Sequence, residues 1–303
     1  LQEKIKADSF QSLSADEKKA LIAQLMGARM ASGAVRKNED STKVTLDAQK
    51  LKASVDGLMN CSAFDDFLKD HPEEAYKAAL DGNGGLLEEK FKDYVLQQDE
   101  IGKDVPDRYM PTAVKRTEVL KEKIKSNEFL TKSKEDQRKL YTELTASRMA
   151  VNSVRGEKSS LEKPINPADL DKARENLEKD KSWETFLKNS NQDKLRASVT
   201  DGRGHGGKLE DAYRVHLIKK TAEAGAVPKD VNDRHKPKPS EVLKKIKKDF
   251  KEYADKDQEW LEENEEMIKK KTATAMYLMK ADMQHKTQSG KMAAMDHDKM
   301  DAG

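Results

Sequence analysis

The sequence of this chain repeats itself, and no other feature restricts its fold as much. Aligning Leu1 with Leu120 and reading on without gaps gives 14 identities in 37 positions, at a constant offset of 119 residues. Further along, the run Phe67–Lys69 recurs as Phe186–Lys188 at the same offset. Self-similarity at a fixed period is typical of chains built from copies of one structural unit. We therefore expect two copies of one fold in tandem.

The offset between the copies grows to 126 residues, as happens when surface loops change length. The run Lys103–Arg108 recurs at that offset as Lys229–Arg234. A third echo, Ser240–Lys244, repeats Thr117–Lys121 and then diverges, as terminal copies commonly do. The sequence thus predicts three parts, named here segment 1 (residues 1–116, a helical module), segment 2 (residues 117–239, its homologue) and segment 3 (residues 240–303, a partial third repeat with a long helix and a flexible tail rich in Met and His).

The hydrophobic periodicity is helical throughout. Ser14 and Glu17 form a capping-box pattern ahead of an apolar stripe in segment 1, and Ser133 and Asp136 open the same pattern in segment 2. No stretch alternates with the period of two that a half-buried strand needs. We predict an all-α fold with two tandem homologous helical bundles and a long C-terminal helical segment. That segment is expected to pack on segment 2, and a protruding partner-binding helix is the alternative.

The composition argues against several classes of protein. Lysine and arginine total 58 against 56 for aspartate and glutamate, so the chain lacks the excess positive charge of an electrostatic nucleic-acid binder. No window approaches the ~20 apolar residues of a membrane span, and we expect no membrane insertion. The single cysteine, Cys61, excludes an internal disulfide framework. We expect Cys61 to be a small, partly buried residue.

The compartment is the least determined property. The chain begins at Leu1 with no visible signal peptide, which indicates a fragment or a processed form. The near-absence of cysteine suits an exported or cell-surface bacterial protein, which we slightly prefer over a cytoplasmic one.

Two pairs of arginines are the leading binding residues. Arg29 and Arg36 lie two helical turns apart on one side of a predicted helix, and Arg148 and Arg155 repeat the arrangement. Two guanidinium groups on one face can hold carboxylates or phosphates by bidentate hydrogen bonds. Two proline-containing stretches, Val105–Pro111 and Val227–Pro239, are predicted to act as connectors after segment 1 and segment 2. The favoured alternative is internal: the arginines would anchor these connectors through Asp104 or Asp107 and through Asp230 or Asp233.

Two further patterns are interpreted as structural. The glycine-rich loops 81–85 and 201–207 precede predicted helices, but no strand precedes them, so we expect turns rather than ligand loops. The lysines of 244–251 are interleaved with apolar and acidic residues. They are expected on the solvated face of an amphipathic helix.

The C-terminal tail is dense in thioether and imidazole groups. Met292, Met295, His297 and Met300 include the string Met-Asp-His-x-x-Met, which resembles the Met/His repeats of bacterial copper-resistance proteins. The resemblance implies a site for Cu(I) or Ag(I), since soft ligands select soft metals. The alternative is a polar tail in which the methionines are incidental.

No catalytic set of side chains recurs in both copies, and His205, His216 and His235 cluster in segment 2 alone. An enzyme with a site confined to segment 2 is one alternative, and soft-metal handling through the tail is another. We favour a non-enzymatic protein–protein interaction or scaffolding fragment of a larger bacterial chain, with a protein partner and no cofactor. Tandem copies raise the effective concentration at a repetitive target. If exposed residues on the same helix face match between the two copies, bivalent binding to one type of ligand is favoured. If they diverge, the protein is more typical of a spacer.

Overall fold

The computed structural model describes residues 1–34, 45–153, 160–200 and 206–280, and every regular element in these ranges is helical. The one β-type pairing within them is an isolated bridge between Thr112 and Pro164. The all-α prediction is therefore confirmed for this part of the chain. The helices are α1 (Gln2–Lys6), α2 (Ala15–Ala31), α3 (Ala48–Met59), α4 (Ser62–Asp70), α5 (Pro72–Leu80), α6 (Gly85–Gln97), α7 (Ala113–Lys125), α8 (Asn127–Thr131), α9 (Lys134–Ala150), α10 (Pro167–Lys179), α11 (Lys181–Asn189), α12 (Gln192–Thr200), α13 (Gly207–Ala224), α14 (Pro239–Tyr253), α15 (Gln258–Glu263) and α16 (residues 265–280).

The chain forms two compact units. The first consists of Leu1–Glu175 with Arg196–Gly207, and the second of Asn176–Leu195 with Lys208–Gly303. The division falls inside segment 2, so the boundaries of the three segments stay a prediction.

Three pairs of corresponding helices of segments 1 and 2 agree in length, whereas α6 has 13 residues and its counterpart α13 has 18. Helices α2 and α9 each have 17 residues. Helices α4 and α11 each have nine, and so do α5 and α12. The helices also follow one another in the same order, so aligned positions of the two segments lie on corresponding elements.

The helix starts follow local side-chain chemistry. Ser14 caps α2 with the predicted capping box, because its hydroxyl accepts from the Glu17 amide while the Glu17 carboxylate accepts from the Ser14 amide. Ser133 accepts from the Asp136 amide at the start of α9. Ser62 and Ser182, which by residue type would be predicted to cap the next short helix of each segment, are not the caps: α4 begins after Cys61, and α11 is capped by Asp180.

The core of segment 1 is built around aromatic rings and one close helix contact. Phe64 of α4 and Phe91 of α6 meet edge to face at 5.2 Å, and both are fully buried. Helices α2 and α3 approach so closely at Gly27 that an added Cβ would lie 2.6 Å from a Val55 methyl group. This packing fixes α2, which carries Arg29 near its end.

The C-terminal stretch is divided among three helices. Helix α14 ends at Tyr253, and a turn at Asn264 separates α15 from α16. Val242 and Ile246 of α14 are buried against Ala222 of α13, and Leu278 of α16 packs on the same cluster. The C-terminal helices therefore pack on residues of segment 2, as expected. None of the helices in the described ranges is long and apolar enough to cross a bilayer.

Candidate functional site

Arg29 lies in a buried ion cluster of segment 1. Its Nε donates to Glu88 Oε2 over 2.8 Å, and its Nη1 donates to the Gly82 carbonyl over 3.1 Å. Arg108 donates from its own Nε to Glu88 Oε1 over 2.8 Å, and the Tyr109 hydroxyl reaches the same oxygen at 3.3 Å. Arg29 and Glu88 are about 5% exposed. The cluster links α2, the glycine turn, α6 and the connector, and its guanidinium groups are engaged internally.

The carboxylate partner differs from the one predicted. Arg29 pairs with Glu88, whereas Asp104 accepts from the Ser62 amide over 2.6 Å and so positions α4. The connector is anchored through its arginine, Arg108, rather than through an aspartate. Glu88 was missed because the chain has 56 acidic residues. The signal that identifies Glu88 is its recurrence as Glu210, at the offset of 122 residues that also relates Gly84–Gly85 to Gly206–Gly207.

The corresponding positions of segment 2 repeat part of this arrangement. Arg234, the counterpart of Arg108, donates to both oxygens of Glu210 at 2.9 and 3.2 Å. The Lys181 amide donates to Asp230 over 3.0 Å, as the Ser62 amide does to Asp104. Arg148, the counterpart of Arg29, is 1% exposed. The predicted residues Arg36 and Arg155, the tail residues Met292, Met295, His297 and Met300, and His205 lie outside the described residues.

A second buried ion cluster, formed by Glu143, Arg116 and Arg174, has no equivalent at the aligned positions of segment 1. Glu143 accepts from Arg116 and from Arg174, each over 2.9 Å, and all three side chains are buried. Arg116 also donates to the carbonyls of residues 96, 98 and 99 at 2.6–3.0 Å. The positions equivalent to Glu143 and Arg174 in segment 1 are Gln24 and Val55. This cluster ties the stretch after α6 to α7, α9 and α10.

Two of the three histidines considered for an enzyme site in segment 2, His216 and His235, line an aromatic core. Tyr213 donates to Asp180 over 2.5 Å, and the ring of His235 meets the Tyr213 ring at 5.3 Å. Burial lowers the pKa of His235 to about 4, and neither of its ring nitrogens has a hydrogen-bond partner in the described part of the chain. His216 is half-buried against Phe186. Cys61, the counterpart of Asp180, is fully buried, and burial raises the pKa of its thiol to about 11.

Segment 1 contains an open groove between α2, α4 and α5, with a volume of about 260 Å³. Phe10, Ile22, Leu68 and Tyr76 supply its apolar lining. The Phe10 ring stacks on Tyr76 at 5.2 Å. Along the rim, the charged side chains are Asp16, Lys18, Lys19, Asp65 and Lys69.

Different side chains, with different partners, occupy the equivalent positions in segment 2. Tyr141 replaces Ile22 and meets the Phe129 ring edge to face at 5.5 Å. Arg196 replaces Tyr76, lies 6.0 Å from the centre of the Phe129 ring, and donates to two carbonyls at the end of α7. Gln137 occupies the position of Lys18. It is buried, and its amide donates to the carbonyls of residues 129 and 132. Sequence reasoning missed the groove because it depends on how side-chain sizes combine across three helices.

Within the described ranges, no three His, Cys, Asp or Glu side chains converge in an arrangement that could hold a metal ion. Compared with known proteins, the chain matches no protein-family model, no curated protein and no solved structure.

Proposed function

We propose that this chain is a non-enzymatic protein-interaction module built from two copies of one helical unit. The groove of segment 1 binds a large apolar side chain of a protein partner. The observation that carries the proposal is the contrast at that groove: Ile22 and Tyr76 line an open groove in segment 1, whereas at the aligned positions Tyr141 is buried against Phe129 and Arg196 donates to carbonyls at the end of α7.

Matching structure supports the duplication. Helices that correspond in sequence have equal lengths in three pairs, including the 17-residue α2 and α9. An arginine at the connector pairs with a helix glutamate in each segment, as Arg108–Glu88 and Arg234–Glu210. A hydrogen bond from the first turn of a helix to a connector aspartate also recurs. Such agreement is expected of two descendants of one unit.

The dimensions of the groove favour a protein partner over a substrate or cofactor. Pockets for small molecules usually measure about 300–1,000 Å³, and this groove of about 260 Å³ lies below that range. Protein interfaces, by contrast, are dominated by a few large anchor side chains that enter apolar pockets. Phe10 and Ile22 are buried, and Tyr76 and Leu68 are partly exposed, so an entering ring meets aromatic and aliphatic surface.

The rim favours an acidic residue next to the anchor. Lys19 is neutralised by Asp65 and also donates to the Met59 carbonyl. The remaining rim charges are Lys18, Lys69 and Asp16, which sum to one positive charge. A partner segment with a large apolar side chain flanked by Asp or Glu therefore complements the groove.

Exposed residues at aligned positions of the two segments match only in part. Glu3, Lys6 and Lys69 recur as exposed Glu122, Lys125 and Lys188, whereas exposed Gln11 and Ala15 align with exposed Leu130 and Lys134. Binding is assigned to segment 1 because the groove residues Ile22 and Tyr76 are replaced in segment 2.

A peptide-display selection tests the proposal. Random 12-residue peptides would be selected on the chain and counter-selected on the variant Ile22→Tyr/Tyr76→Arg, which places the segment 2 residues in the groove. We expect enriched peptides to share one Trp, Phe or Leu next to an acidic residue, and to bind the variant at least about tenfold more weakly, equivalent to about 1.4 kcal/mol.

Leu130→Gln is the matched control, because it changes an exposed residue of segment 2 to its counterpart in segment 1. Peptides from the selection should bind this variant as they bind the parent chain. Enrichment without a common apolar anchor, or equal binding to the groove-filled variant, would show that the groove is not the binding site.

A further inference from the structure

Helix α14 carries a row of exposed lysines. Lys244, Lys247, Lys248 and Lys251 are spaced i, i+3, i+4, i+7 and therefore share one helix face. The buried face of the same helix is formed by Val242, Ile246 and Asp249. Of the four lysines, Lys248 alone approaches a carboxylate in the described part of the chain, that of Glu252 at 3.8 Å.

The next helices carry a row of exposed glutamates with the same spacing. Glu259, Glu262, Glu263 and Glu266 also follow i, i+3, i+4, i+7, across the turn at Asn264. Glu266 pairs with Lys270 at 3.4 Å. Among the described residues, the carboxylates of Glu259, Glu262 and Glu263 have no cationic partner. Two rows of opposite charge, each with three residues that have no oppositely charged partner among the described residues, thus lie on one compact unit.

Contacts within the unit hold both rows in place. Lys271 of α16 donates to Asp249 of α14 over 2.7 Å, and both side chains are about 5% exposed. The Tyr253 ring packs on Trp260 at 5.0 Å. A cation and a carboxylate are therefore buried between the helices, while three lysines and three glutamates outside this contact keep their charges in solvent.

From these rows we propose that the chain self-associates as a symmetric dimer, in which the lysine row of one copy faces the glutamate row of the other. Twofold symmetry makes each contact occur twice, because residues that face each other do so in both directions. A single exposed ion pair contributes about 0–1 kcal/mol, so the association depends on the row acting as a network. It is accordingly weak and sensitive to salt.

Sedimentation velocity on the full chain tests this. At about 0.1 mM protein we expect a dimer–monomer equilibrium in about 50 mM NaCl that shifts to monomer in about 500 mM NaCl, where screening is strong. The variant Lys244→Glu/Lys247→Glu/Lys251→Glu and the variant Glu259→Lys/Glu262→Lys/Glu263→Lys should each be monomeric at low salt. Mixing the two should restore a dimer, since both rows are then complementary across the pair.

A control variant with the same change in net charge distinguishes the effect of the lysine row from the effect of the overall charge. Lys4→Glu/Lys50→Glu/Lys77→Glu alters three exposed lysines elsewhere and should leave the dimer intact. Monomeric parent chain at low salt, equal loss of dimer in the control, or retained dimer in either row variant would each overturn the proposal. So would a lysine row that binds heparin or anionic vesicles while the chain stays monomeric.

Discussion

Segments 1 and 2 place comparable polar groups on corresponding elements and stabilise them differently. In segment 1 the Tyr109 hydroxyl joins the Arg29–Glu88–Arg108 cluster. In segment 2 the equivalent residue is His235, which is buried with no hydrogen-bond partner on either ring nitrogen in the described chain. Buried polar groups without partners are destabilising. The pair of connector arginine and helix glutamate is thus present in both segments, while, among the described residues, the neighbouring ring is hydrogen-bonded only in segment 1.

The largest effect is expected from Glu88→Gln. The substitution leaves Arg29 and Arg108 facing one another without a carboxylate, and breaking a buried ion pair costs about 3–5 kcal/mol. Urea denaturation followed by circular dichroism measures the loss. The matched control is Glu74→Gln, which removes an exposed pair with Lys90 and should cost less than about 1 kcal/mol. Equal losses in the two variants would mean that the cluster is not a stabilising element.

The second-largest effect is expected in the pH dependence of stability, because buried His235 occupies the position of Tyr109 in segment 1. His235 is neutral in the folded chain down to about pH 4, whereas its ordinary pKa is 6.5. Burial causes the shift, with nearby Arg234 and Arg214 opposed by Glu210. Between pH 6.5 and 4 the unfolded chain binds the proton first, so stability falls as pH falls, by up to about 3 kcal/mol. His235→Tyr, which installs the segment 1 residue, should flatten this dependence.

The fluorescence of Trp183 provides the measurement, because its ring contacts Tyr213, which contacts His235. His216→Tyr is the comparison variant, since burial also lowers the pKa of the half-buried His216. It should change the pH dependence less than His235→Tyr does. An unchanged slope in His235→Tyr would show that this histidine titrates normally.

Equal, smaller effects are expected at the paired glycines. Gly84 and Gly206 have φ of +85° and +87°, and an added Cβ would lie 3.0 Å from Leu25 and 2.9 Å from Leu144 respectively. A left-handed non-glycine residue costs about 1–2 kcal/mol, so Ala at either position should destabilise by at least that amount. Gly57→Ala, inside α3, should instead stabilise by about 0.5–1 kcal/mol. Thermal melts of the three variants test whether the turn is equally strained in both copies.

Part of this structure could be predicted from the sequence because it depends on local rules. The helical period predicted an all-α chain, and Ser14 with Glu17 predicted the start of α2. The start of α4 at Cys61 was not predicted because Ser62 fits the capping preference better, and the cap at Asp180 was not predicted because Ser182 fits it as well. The breaks after Tyr253 and at Asn264 were missed because the charged and apolar pattern continues through them.

The sites were harder to predict because they depend on distant positions meeting. Arg29 was identified by its recurrence, but its partner Glu88 lies 59 residues away among many acidic residues. The groove could not be predicted because Ile22 and Tyr76 lie on different helices, and nothing in the sequence around either residue indicates an opening. Their significance comes from the larger Tyr141 and the rearranged Arg196 at the same positions of segment 2.

The central claim is that the apolar groove of segment 1 binds a partner side chain, and that the different side chains at the aligned positions of segment 2 do not. Methyl-resolved NMR of the chain titrated with N-acetyl-tryptophanamide tests this most directly, because one spectrum reports both segments. We predict saturable shifts at the methyl groups of Ala15, Ile22 and Leu68, and unchanged signals at Leu140 and Leu144. Shifts spread evenly over both segments, or confined to segment 2, would contradict the account.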